Sequence, residues 1–232
     1  MKSALTYRQK CELYEYLCQF ITGNRRKRFE DIVSKRTHFI TLVLEDIYQP
    51  HNTSAVLRTC DCFGIQDVHI IENKNKYSIN PDVALGSSNW LNLYRYNNKV
   101  YNTPECLKKL KKQGYSIVAA TPHKNDCLLE ELDIKRRTAI MFGTEKEGLS
   151  QTAIDNTDGF VKIPMLGFTE SFNISVSAAI VLSSLSRKLR ESNIRWELDK
   201  KEKIEILIQW AKHSISKGEM LEKQFLTKNI LR

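Results

Sequence analysis

Three polar loops in this 232-residue chain carry residue types that can do chemistry, and each follows an apolar run typical of a buried strand. The loops span residues 45–58, 143–150 and 165–175. In a parallel sheet, the loops that leave the strands gather at the carboxyl edge, where ligands bind. We therefore expect the three loops to share one site.

The first loop holds Asn52 and, six residues later, Arg58. A guanidinium is a permanent planar cation, which suits Arg58 to a phosphate or a transition state. Asn52 is predicted to be the N-cap of a helix that ends at Gly64, so the two side chains lie nearly two turns apart. The alternative is that Arg58 forms only a surface ion pair with Asp46 or Asp61.

The second loop reads Gly-Thr-Glu-Lys-Glu-Gly-Leu-Ser, and Gly143 and Gly148 can bring backbone close to a ligand. Glu145 stands near the exit of the preceding strand. The loop has neither Walker spacing nor G-x-G-x-x-G, which argues against a nucleotide hydrolase and a dehydrogenase. A plain solvent loop is the alternative.

The third loop joins a strand to an apolar helix within residues 163–180. Pro164 and Gly167 break the strand, and Ser171 and Asn173 supply capping chemistry for the helix. The free N–H groups of such a helix start can hold an anionic or oxygen-rich ligand. Capping alone is the alternative role. The absence of G-x-S-x-G around Ser171 argues against a hydrolase.

Strand and helix patterns alternate through the middle of the chain, which favours an α/β domain with a mostly parallel sheet and helices on both faces. Helical periodicity on either side predicts N- and C-terminal extensions, the second interrupted at Gly218. The predicted strands are 39–44, 67–71, 90–96, 116–120, 138–142 and 160–163. The predicted helices are 5–21 with its C-cap at 22–24, 25–36, 52–63, 103–114 capped by Thr103, 150–155, one from the third loop to about 190, and 200–231.

The net charge of +9 and the sequence pI near 9.2 favour a polyanionic partner such as nucleic acid, with a generally basic enzyme as the alternative. Arg25, Arg26, Lys27 and Arg28 form a basic run ahead of the α/β region. Such a run suits an arm that follows phosphates. It is also compatible with a solvated helix face.

The six cysteines and five histidines form no metal-ligand or C-x-x-C pattern, so we expect no metal and reduced thiols. No run has the length of a membrane span, and the N-terminus lacks the apolar core of a signal peptide. We expect a cytosolic protein with no membrane partner.

Together, the loops resemble the three motifs of the SpoU/TrmH family of RNA ribose 2′-O-methyltransferases, in the same order and spacing. The matching stretches are Asn52-Thr-Ser-Ala-Val-Leu-Arg58 through Gly64, Phe142-Gly-Thr-Glu145 through Ser150, and Ile163-Pro-Met-Leu-Gly167 through Ser171-Phe-Asn173-Ile-Ser-Val. The resemblance extends from the basic run to Trp210. Residues 146, 147, 172 and 174 vary around the usual motifs.

The resemblance implies a SPOUT-type fold with a deep trefoil knot at about residues 138–190, a rare exception to chain topology. It also implies a homodimer and S-adenosylmethionine as the cofactor. We expect a basic, helical RNA-binding arm at 1–37, a catalytic domain at 38–192 and a helical extension at 193–232.

Site residues follow from the same resemblance. Arg58 is expected to be catalytic, with Asn52, Glu145, Ser171 and Asn173 completing the catalytic set. The expected cofactor contacts are Ala120, Thr121, Gly143, Glu145, Gly148, Ile163, Met165, Ser171 and Phe172. The expected RNA contacts are Arg25, Arg26, Lys27, Arg28, His51 and Arg58.

Because a guanidinium stays protonated at working pH, Arg58 is a poor general base. We expect it to orient the phosphate of the target nucleotide, which accepts or relays the hydroxyl proton. The helical extensions resemble those of tRNA enzymes that methylate the D-loop guanosine at position 18. Ribosomal RNA, another tRNA position and a non-catalytic RNA-binding protein are the alternatives, and the complete catalytic set argues against the last.

Overall fold

The computed structural model describes residues 5–122 and 127–229. The chain divides into two compact units, one formed by Thr37–Trp196 and the other by Met1–Arg36 together with Glu197–Arg232. The two terminal extensions, which the sequence pattern presents as separate segments, therefore belong to one helical unit.

The larger unit is built on a seven-stranded sheet. Its strands are β1 Ile40–Glu45, β2 Asp67–Ile71, β3 Asn92–Tyr96, β4 Ser116–Ala120, β5 Cys127–Leu128, β6 Thr138–Phe142 and β7 Gly159–Lys162. Their order across the sheet is β3-β2-β1-β6-β4-β7-β5, and the described pairings are parallel. Every residue of the interior strand β1 is buried, which explains its mostly apolar sequence.

Alternate residues of β1 point to opposite faces of the sheet, and each face has its own helices. Leu42 and Leu44 join the cluster that includes residues of α3 (Pro50–Phe63) and α7 (Ile174–Glu191). Val43 joins the cluster with residues of α5 (Thr103–Lys112) and α6 (Gln151–Asn156). The predicted α/β fold with helices on both faces is therefore confirmed. The helices are α3 Pro50–Phe63, α4 Pro81–Ala84, α5 Thr103–Lys112, α6 Gln151–Asn156 and α7 Ile174–Glu191, with a 3-10 turn at Ser87–Trp90.

Some predicted helix starts are wrong. Helix α3 begins at Pro50, with Gln49 as its N-cap, so Asn52 already lies in the first turn and its side chain is available for other bonds. Proline at the first helical position explains the earlier start, because it has no N–H that needs a partner there. Asn102 rather than Thr103 precedes α5 as the N-cap. The pattern also missed α4, the 3-10 turn and β5, which are too short for a periodicity to show.

The helical unit contains α1 Tyr7–Cys18, α2 Gly23–Val33, α8 Lys200–Ser214 and α9 Gly218–Asn229. Residues 22–24 were predicted to close the first helix, but Thr22 caps the second by accepting a bond from the Arg25 amide. Trp210 is buried, with Phe29 against its ring and the Arg36 guanidinium 5.2 Å from the ring centroid. The predicted interruption at Gly218 is confirmed.

In the described part of the chain, no helix is both long and apolar enough to cross a membrane.

Candidate active site

A cavity of about 430 Å³ opens at the carboxyl edge of the sheet, where the chain leaves β1, β4, β6 and β7. The three polar loops meet there, as expected from the parallel strand pattern. All nine residues expected to contact the cofactor line this cavity: Ala120, Thr121, Gly143, Glu145, Gly148, Ile163, Met165, Ser171 and Phe172.

The loop after β6 is folded back on itself. Thr144 and Gly148 exchange backbone hydrogen bonds of 2.9 and 3.0 Å, and Gly148 has a φ of 70°, where glycine is favoured. A Cβ added at Gly143 would lie 2.2 Å from the carbonyl carbon and oxygen of Gly148. The backbone of this loop therefore forms a wall of the cavity. At its exposed tip Glu147 accepts a 2.8 Å bond from Lys74, and this bond raises the Lys74 pKa.

A chain of hydrogen bonds joins the three loops. The Asn52 Nδ2 donates to Glu145 Oε1 at 2.6 Å, and the Asn173 Nδ2 donates to Asn52 Oδ1 at 3.1 Å. Glu145 and Asn173 are exposed, whereas Asn52, which joins them, is only 3% exposed. One amide thereby fixes the Glu145 carboxylate relative to the start of α7.

Asn173 both caps α7 and belongs to the site. Its Oδ1 accepts bonds from the amide and the hydroxyl of Ser175, at 2.8 and 2.7 Å, while its Nδ2 holds Asn52. Ser171 lines the cavity but is not the cap of this helix. The capping-only interpretation is therefore wrong for Ser171. In Asn173, capping uses the side-chain oxygen, and the side-chain nitrogen binds Asn52.

Arg58 and His51 are not brought to the cavity. Both are exposed on α3, and six residues of helix leave the Arg58 side chain about 120° around the axis from Asn52. The proposed ion pair with Asp46 is wrong, because that carboxylate accepts bonds from the amides of residues 73–75. Within residues 5–122 and 127–229, the Arg58 guanidinium has no ion-pair partner.

The basic run belongs to the helical unit and is not uniform. Arg26 donates two bonds to Glu15, at 2.8 and 2.6 Å, and one of 2.9 Å to Glu30. Its neighbours Arg25, Lys27 and Arg28 are exposed. Arg26 is therefore engaged within the unit, while the other three are accessible.

Sequence reasoning missed Gln49, which lines the cavity and accepts a 3.3 Å bond from the Asn52 Nδ2. Its position just ahead of the proline that starts α3 was the available signal. Val161, Leu149 and Phe142 add apolar surface to the same cavity.

The cavity suits S-adenosylmethionine. Its volume is within the range of small-molecule sites, and it combines apolar surface for a purine with loop backbone and a carboxylate for polar and cationic groups. Among the described residues, no group of three or more His, Cys, Asp or Glu side chains can hold a metal ion.

Many known proteins are similar to this chain in sequence. The profile of the SpoU rRNA Methylase family matches residues 40–183. The chain belongs to the SpoU methylase family. A relative from Borreliella burgdorferi named tRNA (guanosine(18)-2′-O)-methyltransferase is 44% identical over 206 residues, which cover 89% of this chain and 93% of the relative. A Thermus thermophilus relative with the same name is 33% identical, covering 82% of this chain and 97% of its own.

Solved structures of SpoU proteins have the same fold as this chain. The Aquifex aeolicus TrmH/SpoU tRNA modifying enzyme has a TM-score of 0.74 at 30% identity, covering 83% of this chain and 97% of its own. The AviRb methyltransferase of Streptomyces viridochromogenes, solved with AdoMet, shares the fold at a TM-score of 0.60 and 21% identity, over 70% and 65% of the two chains. The predictions of a SpoU-type α/β fold and of an S-adenosylmethionine-dependent RNA methyltransferase are confirmed.

Changing Asn52 to Asp should reduce methyl transfer about 30-fold to 150-fold at pH 8, since one lost charge-assisted bond and a new repulsion amount to about 2 to 3 kcal/mol. The variant places a second carboxylate beside Glu145 and removes the donor. Repulsion between the two carboxylates favours the binding of one proton between them. The protonated carboxyl group can then donate a hydrogen bond, as the Asn52 amide does in the wild type. The ratio of variant to wild-type rate should therefore rise as the pH falls from 8 to 6.

Initial rates of both proteins across that pH range check this expectation. Asn98→Asp, at an exposed position, is the matched control. A ratio for the Asn52 variant that does not change with pH would contradict the role assigned to the Asn52 to Glu145 bond.

Proposed function

We propose that this protein transfers the methyl group of S-adenosylmethionine to the ribose 2′-hydroxyl of the D-loop guanosine at position 18 of tRNA. The observation that supports this most directly is the single cavity in which the Glu145, Asn52 and Asn173 side chains are hydrogen-bonded. The specific nucleotide follows from relatives that carry this name and match nearly their whole length to the chain.

In this reaction the 2′-oxygen forms a bond to the methyl carbon, the carbon–sulfur bond breaks, and the hydroxyl proton leaves. S-adenosylmethionine supplies an electrophilic methyl group on a sulfonium. Attack must be in line, so the chain has to hold both partners in a fixed geometry. Asn52 does this by tying the Glu145 carboxylate to the N-cap of α7, and the folded loop at 143–148 supplies fixed backbone groups.

Arg58 acts from outside the cavity. Its exposed guanidinium, free of ion pairs in the described chain, can receive a phosphate of the bound RNA in a bidentate manner. A phosphate held there accepts or relays the proton of the target hydroxyl. This role needs no deprotonated guanidinium.

The charge distribution favours the helical unit as the main electrostatic contact with tRNA. Its sequence holds 17 of the 36 Lys and Arg residues against 10 of the 27 Asp and Glu residues, a net +7 of the total +9. The larger unit holds the remaining 19 and 17, a net +2. The RNA-binding arm proposed for residues 1–37 thus extends to the C-terminal helices of the same unit.

Single alanine variants of Arg25, Lys27 and Arg28 should each weaken tRNA binding and lower the slope of log affinity against log salt by about 0.7 to 0.9, one phosphate contact each. Arg26→Ala removes the same charge but breaks the bonds to Glu15 and Glu30. It should lower the melting temperature and leave the salt slope nearly unchanged.

Filter binding at several salt concentrations, with thermal unfolding of each variant, separates the two outcomes. A slope for Arg26→Ala that falls as much as the slopes of its neighbours would contradict the division of roles within the run.

We also propose that the protein is a cytoplasmic homodimer with a trefoil knot. Leu166 and Phe168, in a loop that lines the cavity, are fully exposed, which favours their burial against a second copy. Light scattering of the wild type and of Phe168→Asp tests this, with a stable dimer expected only for the former. A tRNA substrate is consistent with a cytoplasmic enzyme.

Labelled S-adenosylmethionine with unmodified tRNA transcripts tests the proposed function. Ribose methylation should map to guanosine 18 and disappear when that nucleotide is replaced by adenosine. Label at another tRNA position or only in ribosomal RNA would overturn the assignment of position 18. RNA binding without cofactor binding would favour a non-catalytic protein.

A further inference from the structure

A buried carboxylate outside the cavity holds the far end of the loop after β6. Glu45 is the last residue of β1 and is 2% exposed. It accepts 2.8 Å bonds from both the amide and the hydroxyl of Ser150, the residue that ends this loop, and a third bond from the Thr103 hydroxyl. Glu45 thereby joins the exit of β1 to the end of a cavity wall.

The two hydroxyls are already acceptors for other groups. Ser150 Oγ accepts from the Ala153 amide at 3.2 Å as the cap of α6, and Thr103 Oγ1 accepts from the Asn73 side chain at 2.9 Å. Each hydroxyl therefore directs its own proton to Glu45, and the Ser150 amide adds a third donor. These three donors converge on the two oxygens of Glu45. Both oxygens of a carboxylate accept hydrogen bonds, whereas an amide side chain has only one acceptor oxygen.

We propose that Glu45 is a positioning residue for cofactor binding, acting through Ser150 on the loop that carries Gly143, Glu145 and Gly148. This inference rests on the proposed function. The loop is closed at its start by the approach of Gly143 to Gly148 and at its end by Glu45. An anchored loop is ordered before the cofactor arrives, so binding loses less conformational freedom.

Glu45→Gln should weaken S-adenosylmethionine binding about tenfold, the effect of one lost hydrogen bond to a charged group. The weaker binding reflects the free energy needed to order the loop when the cofactor binds. Turnover at saturating cofactor should therefore stay within about threefold of wild type, and the KM for tRNA should not change. Calorimetry measures the cofactor affinity directly, and steady-state rates give the two KM values.

Glu72→Gln is the matched control. Glu72 is also nearly buried, at 8%, and accepts bonds from Arg95, Asn97 and the Tyr77 amide. None of its described partners belongs to the loop at 143–150. Its replacement should lower the melting temperature and leave the cofactor affinity within about twofold of wild type, since no cavity wall is released.

Ser150→Ala tests the same contact from the other side. It removes the hydroxyl bond to Glu45 and the cap of α6, and it keeps the bond from the Ser150 amide to Glu45. It should weaken cofactor binding about threefold, and the double variant should be no weaker than Glu45→Gln alone. Unchanged cofactor affinity in Glu45→Gln overturns the inference, as does an equal loss in Glu72→Gln. If Glu45→Gln does not fold, unchanged affinity in Ser150→Ala overturns it. Failure of the wild type to bind S-adenosylmethionine would instead overturn the proposed function.

Discussion

Replacing Gly143 by alanine should weaken S-adenosylmethionine binding by about 30-fold to 150-fold, equivalent to about 2 to 3 kcal/mol. The added Cβ would lie 2.2 Å from the Gly148 carbonyl group and 2.4 Å from the Leu149 nitrogen. All of these atoms are backbone, so a rotamer change cannot relieve the contact. The loop must open, which breaks the Thr144 and Gly148 pair and moves the backbone that lines the cavity.

Titration calorimetry of the variant checks this expectation, with thermal unfolding to show that the sheet remains intact. Gly23→Ala is the control, because a Cβ at that glycine meets no atom within 4 Å. It should leave cofactor affinity unchanged. Near-normal affinity in Gly143→Ala would mean that the backbone of this loop is not part of the cofactor site.

Replacing Arg58 by lysine should lower turnover by about 100-fold while cofactor affinity stays unchanged and tRNA affinity changes only slightly. The substitution keeps the positive charge, so electrostatic attraction to RNA is retained. It removes the planar fork that holds a phosphate in a fixed orientation. Misplacement of about 1 Å at a reacting group is sufficient for a loss of this size.

Single-turnover rates at saturating tRNA and cofactor measure this effect without the contribution of binding. Arg187→Lys is the matched control, because Arg187 is exposed on α7 and lies outside the cavity. An Arg58→Lys enzyme with near-normal turnover and intact RNA binding would contradict the assignment of Arg58 as the residue that orients the phosphate.

Local patterns in the sequence predicted the strands of the sheet well. The buried strand β1 appears in the sequence as a mostly apolar run, and Gly64 closes α3 with a φ of 76° as its type suggested. Helix starts were less predictable. Asn52 has the side chain of an N-cap, yet Pro50 starts the helix two residues earlier and leaves the Asn52 amide free to hold Glu145.

The basic run at residues 25–28 is a second case in which the sequence does not show which side chains are available. Four adjacent cations look equivalent in the sequence, but one turn of helix directs each of them differently. Arg26 meets Glu15 and Glu30, and its neighbours remain in solvent. Which cation is available to RNA depends on where the tertiary structure places Glu15 of α1, and therefore could not be read from the run itself.

The sequence by itself determined the parallel α/β architecture, the three motifs and the family, because periodicity and residue spacing are properties of the chain. Only the tertiary structure decided which side chains meet. Asn52 reaches Glu145 across 93 residues and Asn173 across 121, and Glu45 reaches Ser150 across 105. Such contacts depend on where parallel strands place their loops and on bond geometries of a few tenths of an ångström, which no local pattern encodes.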